Sequence, residues 1–96
     1  MLSENQIDLI INSMLPYNPI RIGIFGSVAR NEDTEKSDID ILYNFKDIIE
    51  FSKFLNLKEF LEKELTKKID LVDERFIHPK MKPYIINDLK LIYENG

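Results

Sequence analysis

Hydrophobic positions along this chain follow two rhythms, one repeating every three to four residues and one every two, and the changes of rhythm mark out the elements. Ile7, Ile10, Ile11, Met14 and Leu15 share one helical face, with Ser3 and Gln6 forming a capping box ahead of them. A first helix from about Glu4 to Leu15 is predicted. "PYNP" at residues 16–19 ends it, because proline cannot continue a helix and biases the residue before it toward extended backbone. From Ile20 the period falls to two, with Ile20, Ile22 and Ile24 on one side and Arg21, Gly23 and Phe25 on the other. "DIDILYNF" from Asp38 repeats this, setting Ile39, Ile41 and Tyr43 opposite Asp38, Asp40 and Leu42. The two runs predict a pair of strands. Between them "SVAR" has the length of a short helix opening at a Gly26-Ser27 turn, and "NEDTEKS" reads as a polar loop.

From Asp47 to about Lys67 there is no glycine or proline, and Ile48, Phe51, Phe54, Leu55, Leu61 and Leu65 line one flank of a long helix, bent near Asn56. That helix is expected to cover one sheet face. "KKIDLVDE" predicts a third strand with Ile69 and Leu71 opposite Asp70 and Val72, and "PYIINDLKLIY" from Pro83 a final helix packed through Ile86, Leu89 and Ile92. No internal repeat or low-complexity segment interrupts this order. The result is an α/β (α+β) chain with a small mixed sheet, its helices mainly on one face and the other face open.

Composition narrows the function. Ninety-six residues make one domain, 1–96, with room for a single core. Seventeen acidic residues against thirteen lysines and arginines leave a net charge of -4, which opposes a phosphate-tracking surface for nucleic acid. With no cysteine there is neither a disulfide framework nor a thiolate zinc site, as suits a reducing compartment. The amino terminus has no basic region followed by an apolar run, and nothing approaches the ~20 apolar residues of a membrane span, so a cytoplasmic location is expected. His78, the only histidine, stands beside Pro79 and reads as a loop residue; Lys80 and Lys82 read as solvated. Tyr43, Tyr84 and Tyr93 read as core edges.

The candidate chemistry lies in "IFGSVARNEDTEKSDIDIL", residues 24–42. Aspartates two apart on a strand point the same way, with alpha carbons roughly 6.5 Å apart. Asp38 and Asp40 therefore converge where hard divalent cations find oxygen ligands. In a chain this acidic such a pair also arises by chance, but here it opens an otherwise apolar strand, where like charges are disfavoured. Gly26 permits close backbone approach, and Ser27 starts a helix whose unpaired N–H groups attract an anion such as phosphate. Arg30, one turn on, is placed either to neutralise a phosphate or simply to meet solvent.

Joined together, Gly26-Ser27, ten intervening residues and "DID" at 38–40 resemble the signature of the polymerase-beta-like nucleotidyltransferases. The flanking "IGIFGSVARNEDTEKSDIDIL", "KKIDLVDE" and "MKPYIINDLKLIYENG" are similar to the minimal nucleotidyltransferases, the antitoxin partners of HEPN-domain toxins. The likeness runs from about Ile20 to Tyr93. It implies that Gly26 and Ser27 grip a triphosphate with help from Arg30. It also implies that Asp38, Asp40 and Asp70 hold two magnesium ions and that Asp70 activates the attacking hydroxyl. Asp73, at the exit of the same apolar run, competes for that third place. The implied reaction moves AMP from ATP to a hydroxyl, a tyrosine of a HEPN-domain toxin, within a hetero-oligomer. No membrane and no direct nucleic-acid contact are expected. Two other readings stay open: an antitoxin that acts by binding alone, and nucleotidyl transfer to a small molecule such as an aminoglycoside.

Overall fold

The computed structural model describes residues 2–95. Helix α1 spans Glu4–Met14, and its capping box forms as expected: the Ser3 hydroxyl accepts from the Gln6 amide at 3.1 Å while Gln6 Oε1 accepts from the Ser3 amide at 2.8 Å. A tight turn at Leu15–Tyr17 follows, and Asn18, at a φ of 53°, swings the chain into strand β1, Pro19–Phe25. A single helical turn, α2, occupies Gly26–Ala29. Strand β2 runs Ile39–Phe45, helix α3 Phe51–Leu65, strand β3 Ile69–Asp73, helix α4 Lys82–Asp88 and strand β4 Lys90–Glu94.

The four strands form one mixed sheet in the order β3-β2-β1-β4, with β2 and β3 parallel and the other pairs antiparallel. The expected alternation sorts the sheet into two faces. On one, Ile22, Ile24, Ile41 and Ile69 pack against Ile10 and Met14 of α1 and Leu57, Leu61 and Leu65 of α3. Each fully buried aliphatic side chain there contributes about 1.5 to 3 kcal/mol. On the other, Phe25 and Leu42 pack with Ile85 of α4 in a smaller cluster. The α/β class and the mixed sheet agree with expectation, and two helices do back one face. The second face is only partly open, because α4 covers some of it. Among the described residues no helix is long and apolar enough to cross a membrane.

Two expected elements differ. The long helix begins at Phe51 rather than Asp47. The carboxylate of Asp47 accepts from the Asn18 side chain at 2.8 Å, and Glu50 is held in extended backbone, so residues 46–50 form a connection. Ile48 and Phe51, expected in the core, are 88% and 74% exposed, and the buried seam is Leu57, Leu61 and Leu65. The final helix stops at Asp88, and Lys90–Glu94 adds to the edge of β1 as a strand. Three-residue spacing of Ile86, Leu89 and Ile92 imitates a helix face; hydrogen bonding to an otherwise open strand edge overrides it. The helix accordingly buries Ile85, while Ile86 is 46% exposed.

Candidate active site

Register brings the predicted residues together. Phe25, the last residue of β1, lies opposite Asp40 of β2, and Asp40 lies beside Asp70 of β3. Gly26, the next residue after Phe25, therefore turns directly over the Asp40 carboxylate. Its φ of 75° is in the left-handed region, and a Cβ built on it would collide with Asp40 Oδ2. Only glycine meets both demands. The turn, Asp40 and Asp70, separated in sequence, share one small patch of surface.

Asp40 is half-buried, and its carboxyl is raised to about 6. Burial is the main cause, the carboxylates of Asp70 and Asp38 add to it, and Arg30 opposes it. Asp38, one residue ahead of β2, and Asp70 are exposed on the same side. The loop that delivers Asp38 is fastened from below. Lys67 Nζ donates to the carbonyls of Thr34, Glu35 and Ser37 at 3.0, 3.3 and 3.5 Å, and the Ile39 amide donates to the Lys68 carbonyl at 2.9 Å. Lys67 did not stand out in the sequence, since a lysine after a helix signals nothing until the loop is seen lying across it.

The competitor Asp73 is placed elsewhere. Alternation along β3 turns it to the α1/α3 side, where its carboxylate accepts from the Arg75 amide at 2.9 Å and from the Arg75 guanidinium at 3.0 and 3.2 Å. Arg30 is near the acids, but its guanidinium donates to Glu32 at 3.1 Å and to Asp88 at the end of α4. Those contacts hold the arginine firmly charged. Helix α2 is a single turn, too short to develop a helix dipole, so what it offers an anion is the Gly26-Ser27 turn itself. Tyr43 is buried in the core and Tyr84 is 71% exposed; neither is the half-buried edge expected for it. His78 is an exposed loop residue, as expected, its Nδ1 accepting from the Lys80 amide.

The sequence profile of the family described as "Polymerase beta, Nucleotidyltransferase" matches residues 5–96. The chain belongs to that nucleotidyltransferase family. A Methanocaldococcus jannaschii protein that carries the name of a protein adenylyltransferase is 46% identical to this nucleotidyltransferase over 76 residues, which cover 76% of each chain. Among solved structures, a toxin–antitoxin complex with AMP-PNP contains a chain that superposes with a TM-score of 0.81 at 25% identity, covering 99% of this chain and 76% of that one. A complex of a tri-AMPylated Shewanella oneidensis HEPN toxin with an MNT antitoxin gives a TM-score of 0.77 at 21% identity, covering 98% and 74%; at that identity the likeness concerns the fold. Like these chains, the nucleotidyltransferase folds as a mixed sheet flanked by helices.

Proposed function

We propose that residues 1–96 form one catalytic domain, a magnesium-dependent protein adenylyltransferase that acts as an antitoxin. It moves AMP from ATP to a tyrosine hydroxyl of a HEPN-domain toxin in a cytoplasmic hetero-oligomer. The observation that carries this reading is the seating of the Gly26 turn on Asp40, with Asp70 in register beside it. It joins an anion-holding loop to a cluster of carboxylates, which is the arrangement phosphoryl transfer needs.

The donor set fits magnesium: it is oxygen only, and the carboxylates of Asp38 and Asp70 lie close enough to Asp40 to add to the rise that burial gives its carboxyl. Among the described residues no three acidic or imidazole side chains stand close enough to hold an ion as they are, so binding one would require these carboxylates to draw together. Asp38 and Asp40 would hold two ions, with Asp70 sharing one. When bound, the metal neutralises charge on the triphosphate and on the departing pyrophosphate.

The chain's own residues do the rest. The Gly26 and Ser27 amides and the Ser27 hydroxyl orient the triphosphate tail, and Arg30, once released from Asp88, meets its outer charge. Asp70 accepts the proton of the incoming hydroxyl. The hydroxyl oxygen then bonds to the α-phosphorus, the bond from that phosphorus to the bridging oxygen breaks, and pyrophosphate leaves with the electron pair. Asp38→Ala with Asp40→Ala should abolish transfer of radiolabelled AMP to the partner toxin. If label transfer survives, the catalytic reading is wrong. If transfer is lost while cells remain rescued from the toxin, protection comes from binding alone.

A further inference from the structure

One ion pair ties the candidate site to an element far along the chain. Arg30, the residue that ends α2, donates through Nε to Glu32 at 3.1 Å and through Nη1 to Asp88, the last residue of α4. Both elements are held by contacts of their own. The α2 turn closes on itself: the Arg30, Asn31 and Glu32 amides donate to the Gly26, Val28 and Ser27 carbonyls at 3.1, 3.1 and 2.9 Å, and Val28 and Ala29 are buried. Helix α4 is seated by Ile85 against Phe25 and Leu42, and Leu89, just after it, fills the space that a Cβ on Gly23 would take. The ion pair is therefore free to open while both elements stay seated.

We infer that Asp88 is an internal competitor of the nucleotide: it holds Arg30, and a triphosphate must displace it to gain the guanidinium. The inference rests on the adenylyltransferase reading and adds what sets the affinity of the site for its nucleotide. Arg30 lies close enough to Asp40 to oppose the rise of its carboxyl, so the guanidinium is within reach of the acids assigned to the metal and triphosphate. A guanidinium grips a phosphate best with two nitrogens, either Nε with Nη2 or Nη1 with Nη2. Glu32 occupies the first of these forks and Asp88 the second, so either grip takes a nitrogen from an acid. The two acids are unequal rivals. Glu32 is two residues from Arg30 on the same loop and its side chain is 66% exposed, so water replaces that pair at little cost. The Asp88 side chain is 18% exposed and comes from another element. It stands at the end of α4, beside carbonyls that have no helical partner, and residues 85–88 include no basic side chain. A negative charge is unfavourable there without Arg30, so Asp88 draws the guanidinium back when the triphosphate or its pyrophosphate product departs.

The test titrates AMP-PNP, pyrophosphate and AMP, each with magnesium, into the full chain by calorimetry. Asp88→Asn keeps the volume and removes the charge; it should tighten AMP-PNP and pyrophosphate at least about threefold and leave AMP unchanged. Glu32→Gln removes an equal charge from the loop and should change both by less than about twofold. In an Arg30→Ala background Asp88→Asn should have no effect, because nothing remains to compete for. A readout on the wild type needs no substitution: in ¹⁵N-labelled protein the Asp88 and Leu89 amides should shift on saturation with AMP-PNP and stay in place with AMP. The inference is overturned if Asp88→Asn leaves AMP-PNP binding unchanged or weakens it, if Glu32→Gln tightens it as much, if the gain survives without Arg30, or if those two amides do not move. A chain that binds AMP-PNP but labels no partner sinks the transferase reading alone, and the titrations still decide the competition. If neither the wild type nor Asp88→Asn binds AMP-PNP, both readings fail.

Discussion

Replacing Asp40 by asparagine should stabilise the metal-free protein while destroying its chemistry. The carboxyl of Asp40 is raised from 3.8 to about 6 because burial and two neighbouring carboxylates resist its ionisation. A folded-state value above the unfolded one means that the folded state holds the proton more tightly. The stability this group contributes is therefore fully present below about pH 3.8, and it is lost as the pH rises through about 6. At about 1.4 kcal/mol per pH unit, the ionised carboxylate costs about 3 kcal/mol at neutral pH. Solvent screening at this half-buried position reduces that to about 1.5 to 2 kcal/mol. The amide of Asp40→Asn fills the same volume without the charge. Urea unfolding at pH 7.5 in EDTA should show the variant more stable by about that amount, equivalent to a Tm higher by at least ~6 °C for a domain of this size. The difference should vanish near pH 3.5. Adding magnesium should stabilise the wild type and leave the variant unmoved, narrowing or reversing the order. A variant equally or less stable at pH 7.5, or a gain that does not depend on pH, would refute the reasoning.

Four further outcomes are expected. Gly26→Ala forces a side chain into left-handed backbone and against Asp40; it should lose about 1 to 3 kcal/mol in urea melts and at least tenfold in AMP transfer. Lys67→Met removes the donor that fastens the loop ahead of Asp38; amide exchange of residues 34–37 should accelerate and stability fall by about 1 kcal/mol, with helix content unchanged by circular dichroism. Arg30→Ala removes the cation that opposes the rise of Asp40, so the Asp40 carboxyl should titrate at a higher pH when followed by ¹³C NMR. Leu61→Ala empties a fully buried position between α3 and the sheet; a loss of about 2 to 5 kcal/mol in urea unfolding is expected.

The strands that carry the site were legible because their chemistry is local. Alternation of Ile22 and Ile24, of Ile39 and Ile41, and of Ile69 and Leu71 fixes which face each strand buries, and so turns Asp40 and Asp70 the same way. The same alternation, read strictly, turns Asp73 away, and the structure shows it bound to Arg75. What stayed hidden depends on partners far along the chain. Leu91 and Tyr93 can continue a helix as well as form a strand until β1 offers an edge to pair with. Ile48 and Phe51 look like core residues to any hydrophobicity reading, and only the whole fold shows them left largely exposed. Asp88 acts on the site through one contact across 58 residues and Lys67 through three across 30 to 33, which no local spacing encodes.

Strand β4, the last of the four to be synthesised, completes the hydrogen bonding of β1, the first. Until β4 has been made, β1 is therefore paired along one side only, with β2. A fragment truncated before residue 88 would lack both Asp88 and the fourth strand, leaving the edge of β1 open to foreign strands and Arg30 paired with Glu32.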